Sequence, residues 1–303
     1  MIELSAKVLV RLPIAAREDR RKLLTLYLRH FPQHVPEKYG CTEPLKETFT
    51  SNDLDQVLDS WTGNSFSAAR RNPKLLLNVH SSPVPSRKPR HSTISLTRLQ
   101  SENPDDIFAL REFVCDAVES FNADFGVAHI LTQTELEERL EEVKRRQSAS
   151  TTPEAIQFAN DHMKQRISRE GFAPVLWGMS VMPNNTVALE SCLPDLSWVT
   201  VFGRPYVEMF GSERVLGSPV HDVRRLAKGG IGLTLTKRLE DNEVSFTEFK
   251  TTQSRCKEHL GRNAFCDPDA PPGYVYMAPE FEFPQEMYKR GPKSVIQGKQ
   301  IVL

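Results

Sequence analysis

The 303-residue sequence predicts an α+β fold, with a largely antiparallel sheet flanked by helices and an extended C-terminal tail. Short segments in which apolar and polar residues alternate are typical of half-buried strands. Other segments place apolar residues every three or four positions, as one buried helix face requires. These segments alternate irregularly and include predicted hairpins, which favours antiparallel pairing over a regular strand–helix repeat.

The first half of the chain contains most of the predicted strands. We expect strands at residues 2–12, 75–80, 92–99 and 125–131, where apolar and β-branched residues cluster. Helices are predicted at residues 15–30, 54–61 and 105–121, and prolines 13 and 32 bound the first of them. The segment 81–91 between two strands is rich in proline and basic residues, and we expect a loop there.

The second half is predicted to hold further helices, a hairpin and the tail. Three capping boxes mark helix starts: Thr134 with Glu137, Thr151 with Glu154, and Ser245 with Glu248. A hairpin is expected at 175–192, a strand at 231–236, and an extended tail from residue 268 onward. We predict one domain over 1–303, with a possible subdivision into 1–100, 101–285 and 286–303.

The bulk properties narrow the classes of function. Lys plus Arg and Asp plus Glu each total 39, so a nucleic-acid or anionic-membrane binder would need segregated surface charge. Charged residues interrupt the N-terminal apolar alternation, and no run approaches the roughly 18 apolar residues of a spanning helix. The five cysteines are odd in number and widely spread, which favours reduced thiols over a disulfide framework or a zinc site. We therefore expect a cytoplasmic protein with no cofactor and no membrane contact.

One constellation resembles an enzymatic site. Asp195 follows a proline, and one residue separates Glu248 from Lys250, as in the PD…ExK pattern of metal-dependent nucleases. In that pattern two carboxylates hold Mg²⁺ and the lysine assists the attacking water. Glu248 is equally explained by its capping box, so a nuclease is the alternative hypothesis.

Other candidate sites have simpler interpretations. His30 and His34 have the i, i+4 spacing of a metal pair, but Pro32 lies between them, so two surface histidines are favoured. His221 precedes an aspartate without the context of a catalytic triad, and residues 227–232 are expected to form the turn into a strand. We predict no metal site and no catalytic residue from these patterns.

An acidic helix face is predicted in the charged segment after residue 134. It contains Glu137, Glu138, Glu141 and Glu142. An ordinary solvated helix explains such a face, and a surface that docks a basic partner is the alternative.

The most distinctive segment is 193–216, which combines three aromatic residues with two Phe-Gly pairs. Its defining residues are Trp198, Phe202, Gly203, Tyr206 and Gly211. With the downstream string HLGRNAFCDPDAPPGYVYMAPEF, this segment resembles the immunity protein 52 family of bacterial polymorphic-toxin systems over about residues 105–281. We call 193–216 the signature segment.

The resemblance implies a function that no single residue pattern shows. Members of that family bind and neutralise a cognate toxin encoded beside them, usually a restriction-endonuclease-like nuclease delivered by type VI or related secretion. We would then expect a cytoplasmic antitoxin with Glu137, Glu138, Glu141 and Glu142 as candidate contacts and no direct nucleic-acid binding. Trp198 and Tyr206 would hold the fold. A non-catalytic accessory protein of the secretion apparatus is a further alternative.

Overall fold

One antiparallel sheet of ten strands organises the part of the chain that the computed structural model describes, residues 3–72, 74–82, 86, 89–99, 104–132, 192–267 and 274–288. The strands are β1 (Glu3–Val10), β2 (Lys38–Gly40), β3 (Glu47–Thr48), β4 (Ser65–Arg70), β5 (Leu75–His80), β6 (Ser92–Leu99), β7 (Phe125–Leu131), β8 (Val199–Phe202), β9 (Asp222–Arg225) and β10 (Ile231–Thr234). Their order is β3-β2-β4-β5-β6-β1-β7-β8-β10-β9, and each named pairing is antiparallel. The predicted α+β class is confirmed.

Seven α-helices accompany the sheet within the described residues. They are α1 (Arg17–His30), α2 (Leu54–Ser60), α3 (Pro104–Phe121), α4 (Arg204–Phe210), α5 (Ser212–Leu216), α6 (Asp241–Val244) and α7 (Phe246–Leu260). Single 3₁₀ turns follow at Arg262–Ala264 and Gln285–Met287. Among the described helices, none has the length and the apolar character that a membrane span requires.

The centre of the sheet is β1, which pairs with β6 on one side and β7 on the other. Its alternating pattern buries Leu4, Ala6 and Val8 toward the same face, as the sequence periodicity predicts. The helices α1 and α3 pack together, and α3 also contacts β1 and β7. Phe31 and Phe113 join the two helices with ring centroids 5.7 Å apart.

The opposite face of β7 is covered by the signature segment and α7. Phe125 lies 5.6 Å from the ring of Tyr206, and His129 lies 5.9 Å from the ring of Phe249. Residues 274–284 then run without helix or strand, and Phe281 comes within 5.9 Å of Tyr206. The tail therefore packs beside the signature segment, in the extended form that its prolines predict.

Most predicted elements in the described residues are confirmed, with specific differences. The strands β2, β3, β4, β8 and β9 and the short helices α4, α5 and α6 were not predicted. Of these, β2 and β3 are too short to show a period. The helix after Ser245 forms, but its predicted capping box does not, since the Ser245 side chain makes no capping hydrogen bond. The helices expected from Thr134 and Thr151 and the hairpin at 175–192 lie outside the described residues, apart from Cys192 at the end of the hairpin.

The expectation that all cysteines are reduced is wrong. Cys192 and Cys266 form a disulfide, with Cα atoms 5.0 Å apart, although 74 positions separate them in the sequence. Spacing along the chain could not reveal this pair, because the fold brings two remote segments together at Leu193 and Phe265. Cys41, Cys115 and Cys256 are free thiols.

Candidate functional site

The signature segment folds as strand, turn and two short helices. β8 ends at Phe202, Gly203 caps α4, and Pro205 occupies the first turn of that helix, where proline fits without losing a hydrogen bond. Gly211 then separates α4 from α5 with a φ of 85°, a conformation that favours glycine. The two Phe-Gly pairs therefore mark the two sharp changes of direction.

Trp198 is a core residue that links three parts of the fold. It is 4% exposed, and its Nε1 donates a hydrogen bond to the carbonyl oxygen of Thr236 at 3.0 Å. Its backbone N–H donates to Nδ1 of the buried His129 at 3.2 Å, so this ring nitrogen acts as an acceptor and carries no proton. Trp198 thus joins the start of β8 to the segment after β10 through its indole, and to β7 through its backbone N–H.

Gly203 is required by a close backbone approach. Its N–H donates to the carbonyl oxygen of Asp124 at 2.9 Å. A Cβ at this position would lie 2.1 Å from the carbonyl oxygen of Ala123 and 2.7 Å from the Cα of Asp124. Only glycine allows the end of β8 to approach the start of β7 this closely.

A buried polar group lies at this same end of the sheet; we call Arg11, His91, Asp124 and Tyr206 the sheet-end cluster. The register sets Val10 opposite Ser92 and Leu9 opposite Phe125. The residues just beyond these pairs, Arg11, His91 and Asp124, therefore meet although they are far apart in sequence.

Asp124 is the centre of the cluster and is 1% exposed. Its Oδ1 accepts from Arg11 Nη2 at 2.7 Å, and its Oδ2 lies 2.9 Å from His91 Nε2. A buried carboxylate is stable only when it is paired in this way. The cluster thereby ties together the chain segments after β1, before β6 and before β7.

Tyr206 brings the signature segment into the cluster. Burial raises the pKa of its phenol above the ordinary value, and the Asp124 carboxylate acts in the same direction. The hydroxyl therefore stays protonated across the physiological range. This argues for a structural phenol rather than a tyrosinate that takes part in chemistry.

The C-terminal tail covers the cluster. The His91 ring meets Phe281 and Phe283 edge to face, with centroid distances of 4.7 and 5.2 Å. Arg11 Nη1 also donates to the carbonyl oxygen of Glu282 at 3.3 Å. In this part of the tail Glu280 and Glu282 are exposed, whereas Phe281 and Phe283 are half-buried against His91. The alternation of glutamate and phenylalanine therefore matches the alternation of exposed and packed positions.

The predicted nuclease residues are only partly brought together. Asp195 is buried and paired with Lys257, and Lys250 Nζ lies 3.7 Å from its Oδ2. Glu248 is exposed, because residues two positions apart on a helix point in nearly opposite directions. The second carboxylate of the PD…ExK pattern is therefore not beside the first.

The residues of the other candidate sites are not brought together either. His30 is bonded to Asp116 at 2.9 Å and His34 to Asp106 at 2.7 Å, so the two rings face different carboxylates. His221 is exposed, and Gly229 forms the turn into β10. Within the described residues, no group of three or more His, Cys, Asp and Glu side chains is arranged to hold a metal. Glu137, Glu138, Glu141 and Glu142 lie outside the described residues.

Comparison with known proteins adds little. No family profile matches the chain, so the resemblance to the immunity protein 52 family remains a prediction. No curated protein matches it significantly. Among solved structures, the chain is similar to the Pseudomonas aeruginosa T6SS protein PA0821, with 12% identity, a TM-score of 0.46, and coverage of 92% of this chain and 79% of the other. At that identity and TM-score, the likeness supports no statement about function.

Proposed function

We propose that this protein is an immunity protein: it binds a cognate toxin encoded beside it and neutralises that toxin by forming a stoichiometric complex. We place it with type VI or related secretion systems. The proposal starts from the resemblance of the signature segment to polymorphic-toxin immunity proteins. The observation that carries it further is that the defining residues of this segment have identifiable structural roles.

These roles fit a scaffold for binding better than a reaction centre. Trp198 and Tyr206 are buried, Gly203 permits a backbone contact, and Gly211 permits a turn. Phe202 is fully buried and packs 5.3 Å from the ring of Phe210. A protein whose distinctive residues all support the fold would use its surface to act, as an inhibitor does.

The toxin would be held by charge complementarity. Our candidate contacts are Glu137, Glu138, Glu141 and Glu142, whose carboxylates would replace phosphates against basic groups on the toxin. Such a surface gives fast association and selects against partners of like charge. The resemblance implies a nuclease as the partner.

We do not propose that this chain is itself a nuclease. Its two carboxylates diverge, and Asp195 is already neutralised by lysines from α7. A metal would have to displace those lysines and recruit a ligand from another segment.

Binding can be tested with charge-matched variants. We expect the purified chain to co-elute with the product of the adjacent toxin gene, and alanine substitution of the four candidate contacts to weaken binding at least tenfold. The control changes four exposed glutamates of the described surface, Glu213, Glu243, Glu248 and Glu258, to alanine. If both quadruple variants lose affinity equally, the four candidate glutamates are not the specific contact. If the unmodified pair forms no complex, the immunity proposal fails.

A further inference from the structure

The disulfide joins Cys192, the residue before the signature segment, to Cys266, which follows α7. The backbone holds the two cysteines in place independently of the sulfur atoms. Leu193 N–H donates to the carbonyl oxygen of Ala264 at 2.8 Å, and Cys266 N–H donates to that of Leu193 at 2.7 Å. The Cα separation of 5.0 Å lies within the range that disulfides span.

Further contacts hold the same segment against α7. Gln253 Nε2 donates to the carbonyl oxygen of Leu196 at 2.7 Å, and Lys257 pairs with Asp195. Trp198 lies only two residues beyond Leu196. The disulfide is thus one part of a clamp that fixes the entry to the signature segment.

The other three cysteines differ from this pair. Cys115 and Cys256 are buried, and burial raises the pKa of each thiol to about 11. Cys41 is half-buried and carries no disulfide. Buried thiols with raised pKa values are unreactive, so they do not compete for the pairing.

From this geometry we infer that the protein folds and acts in an oxidising compartment, outside the reducing cytosol. Structural disulfides persist in the periplasm, at the cell surface and in secreted proteins, whereas cytosolic thiols are kept reduced. The inference replaces the sequence-based expectation of a cytoplasmic protein. It does not rest on the proposed immunity function. Where both hold, the complex forms outside the cytosol, and the nuclease that the resemblance implies is replaced as the partner by a toxin that acts in that compartment.

Forming the bond needs an external oxidant, which we assign to a dithiol–disulfide oxidoreductase. The thiolate of one cysteine attacks a sulfur of the oxidant's disulfide, giving a mixed disulfide and releasing one oxidant thiolate. The second cysteine thiolate then attacks the protein sulfur of that mixed disulfide. Two electrons and two protons pass to the oxidant, which leaves as a dithiol.

Thiol counting on the intact chain tests the inference without requiring any variant to fold. Producing cells are quenched in acid, and the denatured protein is labelled with a maleimide–polyethylene glycol reagent before and after reduction. We expect three labels before reduction and five afterwards, from three free thiols among five cysteines. A Cys192→Ser/Cys266→Ser chain should show three labels in both states. Five labels in the wild-type chain without reductant would overturn the inference.

Cell fractionation tests the compartment separately. We expect the protein to leave the cells with the osmotic-shock fraction, together with a periplasmic marker, or to appear in the medium. Retention with a cytosolic marker would overturn the inferred compartment even if the disulfide is present. Neither result depends on toxin binding, so a failed complex and a failed compartment can be told apart.

Discussion

Replacing Gly203 with alanine tests whether the signature segment is held by its contact with the start of β7. The new Cβ would lie 2.1 Å from the carbonyl oxygen of Ala123 and 2.7 Å from the Cα of Asp124, both backbone atoms that cannot turn away. The end of β8 must then move outward, which strains the core and weakens the Gly203 N–H bond to Asp124. Overpacking costs about 1–3 kcal/mol and the lost hydrogen bond about 1 kcal/mol, so we expect about 3 kcal/mol in total.

The matched control is Gly232→Ala in the neighbouring strand β10. There the nearest atom to a new Cβ is the Cys115 Sγ at 3.6 Å, an ordinary contact. Urea unfolding followed by circular dichroism should show a loss of about 3 kcal/mol for Gly203→Ala and less than about 1 kcal/mol for the control. If the two variants lose the same stability, the close approach at Gly203 does not hold the segment and the reasoning is refuted.

Three further predictions concern the same region. Trp198→Phe should lower the free energy of unfolding in urea by about 1 kcal/mol more than Trp61→Phe does. The reason is that Trp198 Nε1 donates a hydrogen bond to Thr236, whereas the buried Trp61 Nε1 has no hydrogen-bond partner in the structure. Equal losses of stability would contradict a role for that bond. Asp124→Asn should lower the free energy of unfolding by about 3 kcal/mol, since it removes the negative charge that pairs with Arg11 in a half-buried site. A change within about 0.5 kcal/mol, the scatter of surface substitutions, would contradict the buried pairing. Cys192→Ser/Cys266→Ser should lower the free energy of unfolding by about 4 kcal/mol, because the disulfide closes a loop over a 74-residue separation. Replacing the free thiol in Cys41→Ser should change the stability by almost nothing. A melting curve of the wild-type chain that reductant leaves unchanged would contradict the cross-link.

The sequence predicted those features that depend on local periodicity. The helix α3 and the strands β1, β5 and β6 each carry enough residues to show a repeat of 3.6 or 2. The α+β class followed from their irregular alternation. The two-residue strand β3 carries no such signal and forms because β2 offers it free backbone groups to pair with.

The sheet-end cluster could not be predicted in the same way. Arg11, His91 and Asp124 each stand one residue beyond a strand, and only the register reveals that these positions coincide. The local signals available were a charged residue next to an apolar strand and an alternation of phenylalanine and glutamate in the tail. Neither indicates a partner without the topology.

The disulfide and the divergence of the nuclease-like residues could not be predicted from the sequence for a related reason. Pairing of Cys192 with Cys266 depends on how the chain returns after α7, and the separation of Asp195 from Glu248 depends on which face that helix buries. A motif match fixes residue types and order but not direction. Helix phase decided the outcome: Lys250 and Lys257 face Asp195, whereas Glu248 faces solvent.

Survival of cells that express the adjacent toxin gene, with and without this chain, tests the central claim most directly. Toxin and chain are directed to the same compartment, and colony counts are compared with those of cells carrying an inactivated toxin. We predict that the chain restores survival to within tenfold of that control and that the two proteins co-purify. Continued killing by an active toxin, while the chain is abundant and folded in the same compartment, would contradict the immunity function.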